Sequence, residues 1–211
     1  MEPAAPAVGA RGVAFDRWFE LTSVVPLAGF ALVHVGTYAR VLFGAEELGA
    51  RRSPSVLAML AEALLVWLPF AFHVGFAPSV WARRRRDAAR APSERATLAL
   101  HRGAGVLLAA FLLDHFLRFR LPILRGERYP AESLQMLAAE LSRTTFGVPL
   151  VASLHALGVL ALAFHLGIGL YRIAGRYPRF VAGRAALAVC VGIAVATAAF
   201  GTLTVIELAA G

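Results

Sequence analysis

Four histidines stand deep inside long apolar runs of this 211-residue chain, one in each of the first four: His34, His73, His115 and His165. An imidazole at such depth is costly, so each needs a partner or a cofactor. Depth follows from the helical rise of 1.5 Å per residue. His34 lies about 21 Å from Glu20 and His115 about 20 Å from Arg102, whereas His73 is about 15 Å from Arg83 and His165 about 10 Å from Arg172. The alternate runs therefore match in depth, pairing His34 with His115 and His73 with His165. A lone histidine in a span is ordinarily an interhelical hydrogen-bonding group. Four, one per run and matched in pairs, suit two stacked b-type haems, each held by two neutral imidazoles from opposing helices. Gly29, Gly36, Gly75, Gly167 and Gly169 beside them would let a flat macrocycle approach the backbone. Zinc suits the pattern less well, because no carboxylate or thiol lies near all four.

The runs that carry these residues must be membrane spans. The chain is 59% hydrophobic and only 16% charged, with a mean hydropathy of +0.68. A soluble domain has about 45–50% apolar and about 25% charged residues. Five stretches reach the roughly 20 apolar residues that cross a bilayer core: Leu21–Phe43, Val56–Ala82, Leu98–Leu121, Gly147–Tyr171 and Arg184–Leu208. Alternation of period two is absent, which speaks against a barrel. Residues 1–19 read as a cytoplasmic tail rather than a signal peptide, and 20–211 as one all-α membrane domain. The single cysteine, Cys190, excludes an internal disulfide and a thiolate iron–sulfur site made by this chain alone.

The net charge of +8 comes entirely from arginine among the basic residues. Arg11, Arg17, Arg83, Arg84, Arg85, Arg86, Arg90, Arg95, Arg172, Arg176, Arg179 and Arg184 fall on one side with few acids. The other side's arginines are offset by Glu46, Glu47, Glu127, Glu132 and Glu140. The first side is therefore expected in the cytoplasm, with the amino terminus in and the carboxyl terminus out. Within the second outer connection, Leu134, Leu137, Ala138 and Leu141 recur at helical spacing, which predicts a short amphipathic helix over 131–142 at the outer surface.

Arg102 and Arg176 end spans three and four, where they serve either as propionate partners or as positive-inside anchors. His101 would reach an inner propionate or quinone, or be simply solvated. His155 is about 80° round the helix from His165, so an interhelical hydrogen bond suits it better than ligation. Glu62 is the candidate proton-exchanging group for a quinone, and Asp114 is placed to pair with Arg118 one turn on.

Several segments are similar to one known family. Ser23-Val24-Val25-Pro26-Leu27 leading to Phe30-Ala31-Leu32-Val33-His34, then Phe72-His73, Asp114-His115 and above all Phe164-His165-Leu166-Gly167-Ile168-Gly169-Leu170-Tyr171-Arg172 resemble the dihaem cytochrome b membrane-anchor subunit of succinate dehydrogenase and fumarate reductase complexes. The resemblance covers nearly all of the chain after Asp16. It implies ligation of two haems by the four histidines with the same pairing, and a basic propionate partner at Arg176. It also implies anchorage of a flavoprotein subunit carrying FAD and an iron–sulfur subunit, with electrons exchanged with membrane quinone. The chain departs from the family at Glu20, Ser23 and His101. Ala163 stands where some menaquinone-linked members carry a glutamate, so no such proton path is carried over.

The expectation is thus a five-helix dihaem cytochrome b in a bacterial cytoplasmic membrane, performing electron transfer but no dicarboxylate chemistry itself. The rival readings are the cytochrome b anchor of a hydrogenase, formate dehydrogenase or nitrate reductase, and a haem-free anchor or transporter.

Overall fold

The computed structural model describes residues 18–19, 25–43, 54–85, 92–176 and 183–210, with the side chains of 83–85, 92, 93 and 176 left aside. Most of the tail expected at 1–19, the start of the first expected span at 21–24 and the Arg86 and Arg90 segment lie outside the described residues. The described residues are built from helices, five of them long and apolar enough to cross a membrane.

The first, α1, runs as an α-helix over Val25–Tyr38 and tightens to a 3₁₀ turn over Ala39–Phe43. Ser55 caps α2 (56–85) by accepting a hydrogen bond from the Ala58 N–H at 3.2 Å. Helix α3 (92–124) begins several residues before the apolar run, because Pro92 and Glu94 suit a first helical turn. The connection after it contains α4, Pro130–Leu141. Pro130 takes its first position, and the Glu132 carboxylate reaches back to accept the Tyr129 N–H at 2.7 Å. A tight turn at Phe146 and Gly147, both with positive φ, pairs Thr145 with Val148 and leads into α5, Leu150–Arg176. The last helix, α6, is Gly183–Ala210.

Two of the long helices share an irregularity. In α2 the segment Ala63–Trp67 is a π turn, and in α3 so is Phe116–Arg120. Each closes with an i−5 bond, Leu68 N–H to Ala63 O and Leu121 N–H to Phe116 O. Each is followed by a proline, Pro69 and Pro122. A proline lacks the N–H for the carbonyl four residues back, and its ring crowds that carbonyl. Widening the turn just before it re-satisfies the ladder without breaking the helix.

Packing is by small residues. Helix α5 makes its most extensive contacts with α6 and then with α3. A Cβ at Gly167 would lie 2.8 Å from the Ala194 Cβ, and one at Gly201 2.6 Å from Val159 Cγ1, so α5 and α6 meet almost backbone to backbone. In lipid there is no hydrophobic drive between helices, and such close approach supplies dispersion instead. Large side chains point the other way: Leu57, Leu64, Leu68 and Val195 are exposed. Between 11% and 28% of the most apolar stretch of each span is buried, which leaves a broad apolar outer surface for lipid.

Candidate functional site: two layers of histidines

The four span histidines meet in the two pairs that depth predicts. The His34 and His115 rings have centroids 6.1 Å apart at 89°, and His73 and His165 are 6.0 Å apart at 88°. Two imidazoles bound to one metal at about 2.0–2.1 Å each have ring centres roughly 6 Å apart. The two rings of each layer are thus close enough to hold a haem iron between them, were one bound. Along α5, His155 and His165 mark the two layers, about 15 Å apart by helical rise.

The lower layer, at the Arg102 end of the bundle, is closely supported. His165 Nδ1 donates to the His101 carbonyl at 3.1 Å, which leaves Nε2 as the nitrogen that would ligate a metal. The His101 ring stacks on His165 at 4.2 Å and 5°. The solvated alternative for His101 is therefore corrected: its ring buttresses a candidate ligand. Gly105 makes room for this, since a Cβ there would stand 2.8 Å from His165 Cε1. Phe19 stacks on His73 at 5.0 Å and 18°. Arg102 lies over the Trp81 ring at 5.3 Å. The backbone of Arg176 ends α5, and its side chain is outside the description.

The upper layer holds His34, His115 and His155. Phe30 and Tyr38, one turn either side, pack on His34 at 5.2 and 4.8 Å. The interhelical hydrogen bond expected of His155 is not made by its Nδ1. That nitrogen lies 2.9 Å from the carbonyl of Val151, one turn back on its own helix. Its ring meets His115 edge-on at 6.0 Å and 68°.

Above this layer the two π turns face each other, with Trp67 against Phe116 at 4.3 Å. Glu62, the quinone candidate, forms an ion pair with Arg120, whose Nε donates to Oε1 at 2.7 Å while Nη2 bonds Oε2. Trp67 Nε1 donates to the same Oε1 at 2.8 Å. The Arg120 partnership escaped sequence reasoning because 58 residues separate the pair. Their available signal was the repeated Leu-Pro after each π turn. Asp114 and Arg118 pair at 2.8 Å as expected, on the exposed side.

The glycine expectations divide. Cβ atoms at Gly29, Gly36 and Gly75 would meet nothing within 4 Å, and one at Gly169 would contact His101 Cε1 at 3.5 Å. Gly167 is corrected to a helix-packing residue against α6, since Ala194 occupies the space in front of it. A lateral groove of about 260 Å³ runs between α1 and α6, lined by Gly36, Ala39, Thr197 and Phe200 among others, and no histidine lines it. No family model, curated protein or solved structure matches this chain.

Proposed function

We propose that this chain is a five-helix dihaem cytochrome b, the membrane-anchor subunit of a succinate:quinone or quinol:fumarate oxidoreductase. The observation that carries the dihaem reading is the opposition of His34 to His115 and of His73 to His165 at equal spacing. The choice of complex is supported by the sequence resemblance, above all the segment from Phe164 to Arg172.

Bound haem would supply one-electron transfer through the bilayer interior. The chain's own residues supply the surroundings. The His101 carbonyl fixes the His165 tautomer, and the His101 ring and Gly105 fix its orientation. Arg102, with Arg176, is the proposed cation set for propionates of the inner haem. Glu62 is the group we assign to proton exchange with quinone, seated one turn of structure beyond the upper pair. Proton uptake by this carboxylate would weaken its ion pair with Arg120, which otherwise holds the group in place.

In the membrane, the arginine bias supports an amino terminus on the cytoplasmic side of a bacterial inner membrane. That orientation puts the layer of His73 and His165 nearest the flavoprotein and iron–sulfur partners. It puts α4, the upper layer and Glu62 towards the outer surface. A reduced-minus-oxidised spectrum of the purified chain tests the reading: a b-type signal with two haems per chain is expected, and its absence overturns it. Co-purification tests the complex: a covalent-flavin partner is expected, and a metal-hydrogenase or molybdenum partner refutes it.

A further inference from the structure

The two layers differ in how they treat the second nitrogen of their candidate ligands. A ligating imidazole ordinarily donates its other ring N–H to a carbonyl or carboxylate, which fixes the ring and raises its basicity. His165 does so through the His101 carbonyl. His115 Nδ1 is buried and has no hydrogen-bond partner. Beside it, His155 Nε2 is also buried and also without a partner. Two orphaned polar atoms in neighbouring rings would be an unusual cost for a bundle interior.

Their chemistry is complementary. His155 is 92% buried by its 8% exposure, and its Nδ1 is engaged by the Val151 carbonyl at 2.9 Å, so that nitrogen carries the proton. Its Nε2 is then a lone pair. His115, ligating through Nε2, carries its proton on Nδ1. One ring presents a donor and the other an acceptor. Phe111 meets His155 at 5.3 Å and His115 at 5.7 Å, and Phe119 meets them at 6.2 and 5.1 Å. These two rings enclose the pair in apolar walls. Gly158, one turn beyond His155, takes the Phe111 ring where a Cβ would be 2.6 Å away, which holds the enclosure shut.

Resting on the dihaem reading, we propose that His155 is the positioning residue of the upper haem site: its Nε2 accepts the His115 Nδ1–H, directly or through one water, and so tunes that haem's potential. With ring centres 6.0 Å apart, the two orphaned nitrogens belong to neighbouring rings, close enough for a small ring movement or one bridging water to join them. Accepting that proton donates electron density through His115 and favours the oxidised iron.

The test is a redox titration of the purified complex carrying H155F, which keeps an aromatic ring and removes the acceptor, and H155Q, which restores one. In H155F one of the two midpoint potentials rises while the other stays, with two haems retained, and H155Q brings it back towards wild type. H34A identifies the shifted centre as the upper one by abolishing it. Two haems with both potentials unmoved in H155F overturn this proposal alone. Loss of a haem in H155F that H155Q does not restore assigns His155 to packing and overturns it equally. A wild-type complex without b-type haem overturns the dihaem reading and this one together.

Discussion

A histidine in a span is informative through its second nitrogen. His165 has that nitrogen bound, its ring face covered by His101 and its flank set against Gly105. Removing the ring by H165A should lose one b haem of two and leave the other, read as a halved haem-to-protein ratio. Gly105→Val should reproduce that loss from the opposing helix, because its Cβ would enter the space of His165 Cε1. Overpacking of this kind costs about 1–3 kcal/mol, and haem content at 25 °C, with the fold monitored by circular dichroism, separates displacement of the ligand from unfolding. The pairing was legible in the sequence because helical rise converts residue number into depth. The roles of His101 and His155 were not, because angle round a helix does not say which neighbour fills the space. His101 stands at the end of its span by number, yet it is drawn inward over His165 by the close approach of α3 and α5 at Gly105.

Helix ends and interruptions carry the next layer of explanation. Spans two and three are apolar enough to be found from composition, but their π turns depend on how Pro69 and Pro122 unload the preceding carbonyls. Those turns rotate Glu62 and Arg120 towards each other and set Trp67 on Phe116. Glu62→Leu leaves the half-buried Arg120 without its carboxylate, at a cost of about 1–3 kcal/mol. The measurement is thermal unfolding in detergent, where Glu62→Gln should lose less because an acceptor survives. The same Glu62→Gln protein should retain both haems and lose quinone-linked turnover. Unchanged turnover would remove the proton-exchange assignment. By contrast, the exposed Asp114–Arg118 pair should contribute at most about 0.5 kcal/mol.

Across the whole molecule, the apolar excess and the five spans were readable from composition, since many large apolar side chains of the spans face outward. Direction across the bilayer rests on arginine placement alone. Cys190 is buried, so it provides a quiet background for labelling. A membrane-impermeant maleimide added to intact cells should label Arg143→Cys and should label Arg90→Cys only after the membrane is opened. The reverse pattern would invert the topology. The lower pairing layer would then face outward, and the proposed partner arrangement would fail with it.

The backbone contact between α5 and α6 bears on how such a protein comes to be made. That contact is extensive in itself, since glycines on each helix meet alanine and valine of the other at its closest approaches. Helix α1 packs along α6, whereas α2 has few backbone neighbours beyond α1 and is tied to α3 and α5 mainly by side chains: the Glu62–Arg120 ion pair, Trp67 on Phe116 and His73 opposite His165. A newly inserted chain would therefore hold α5 and α6, with α1 against them, as a template while α2 is held loosely, open to a flat cofactor from the side if haem binds as proposed. Hydrogen exchange on protein made in haem-starved cells should show protection kept in α5 and α6 and lost in α2, which would make haem supply the step that seats that helix.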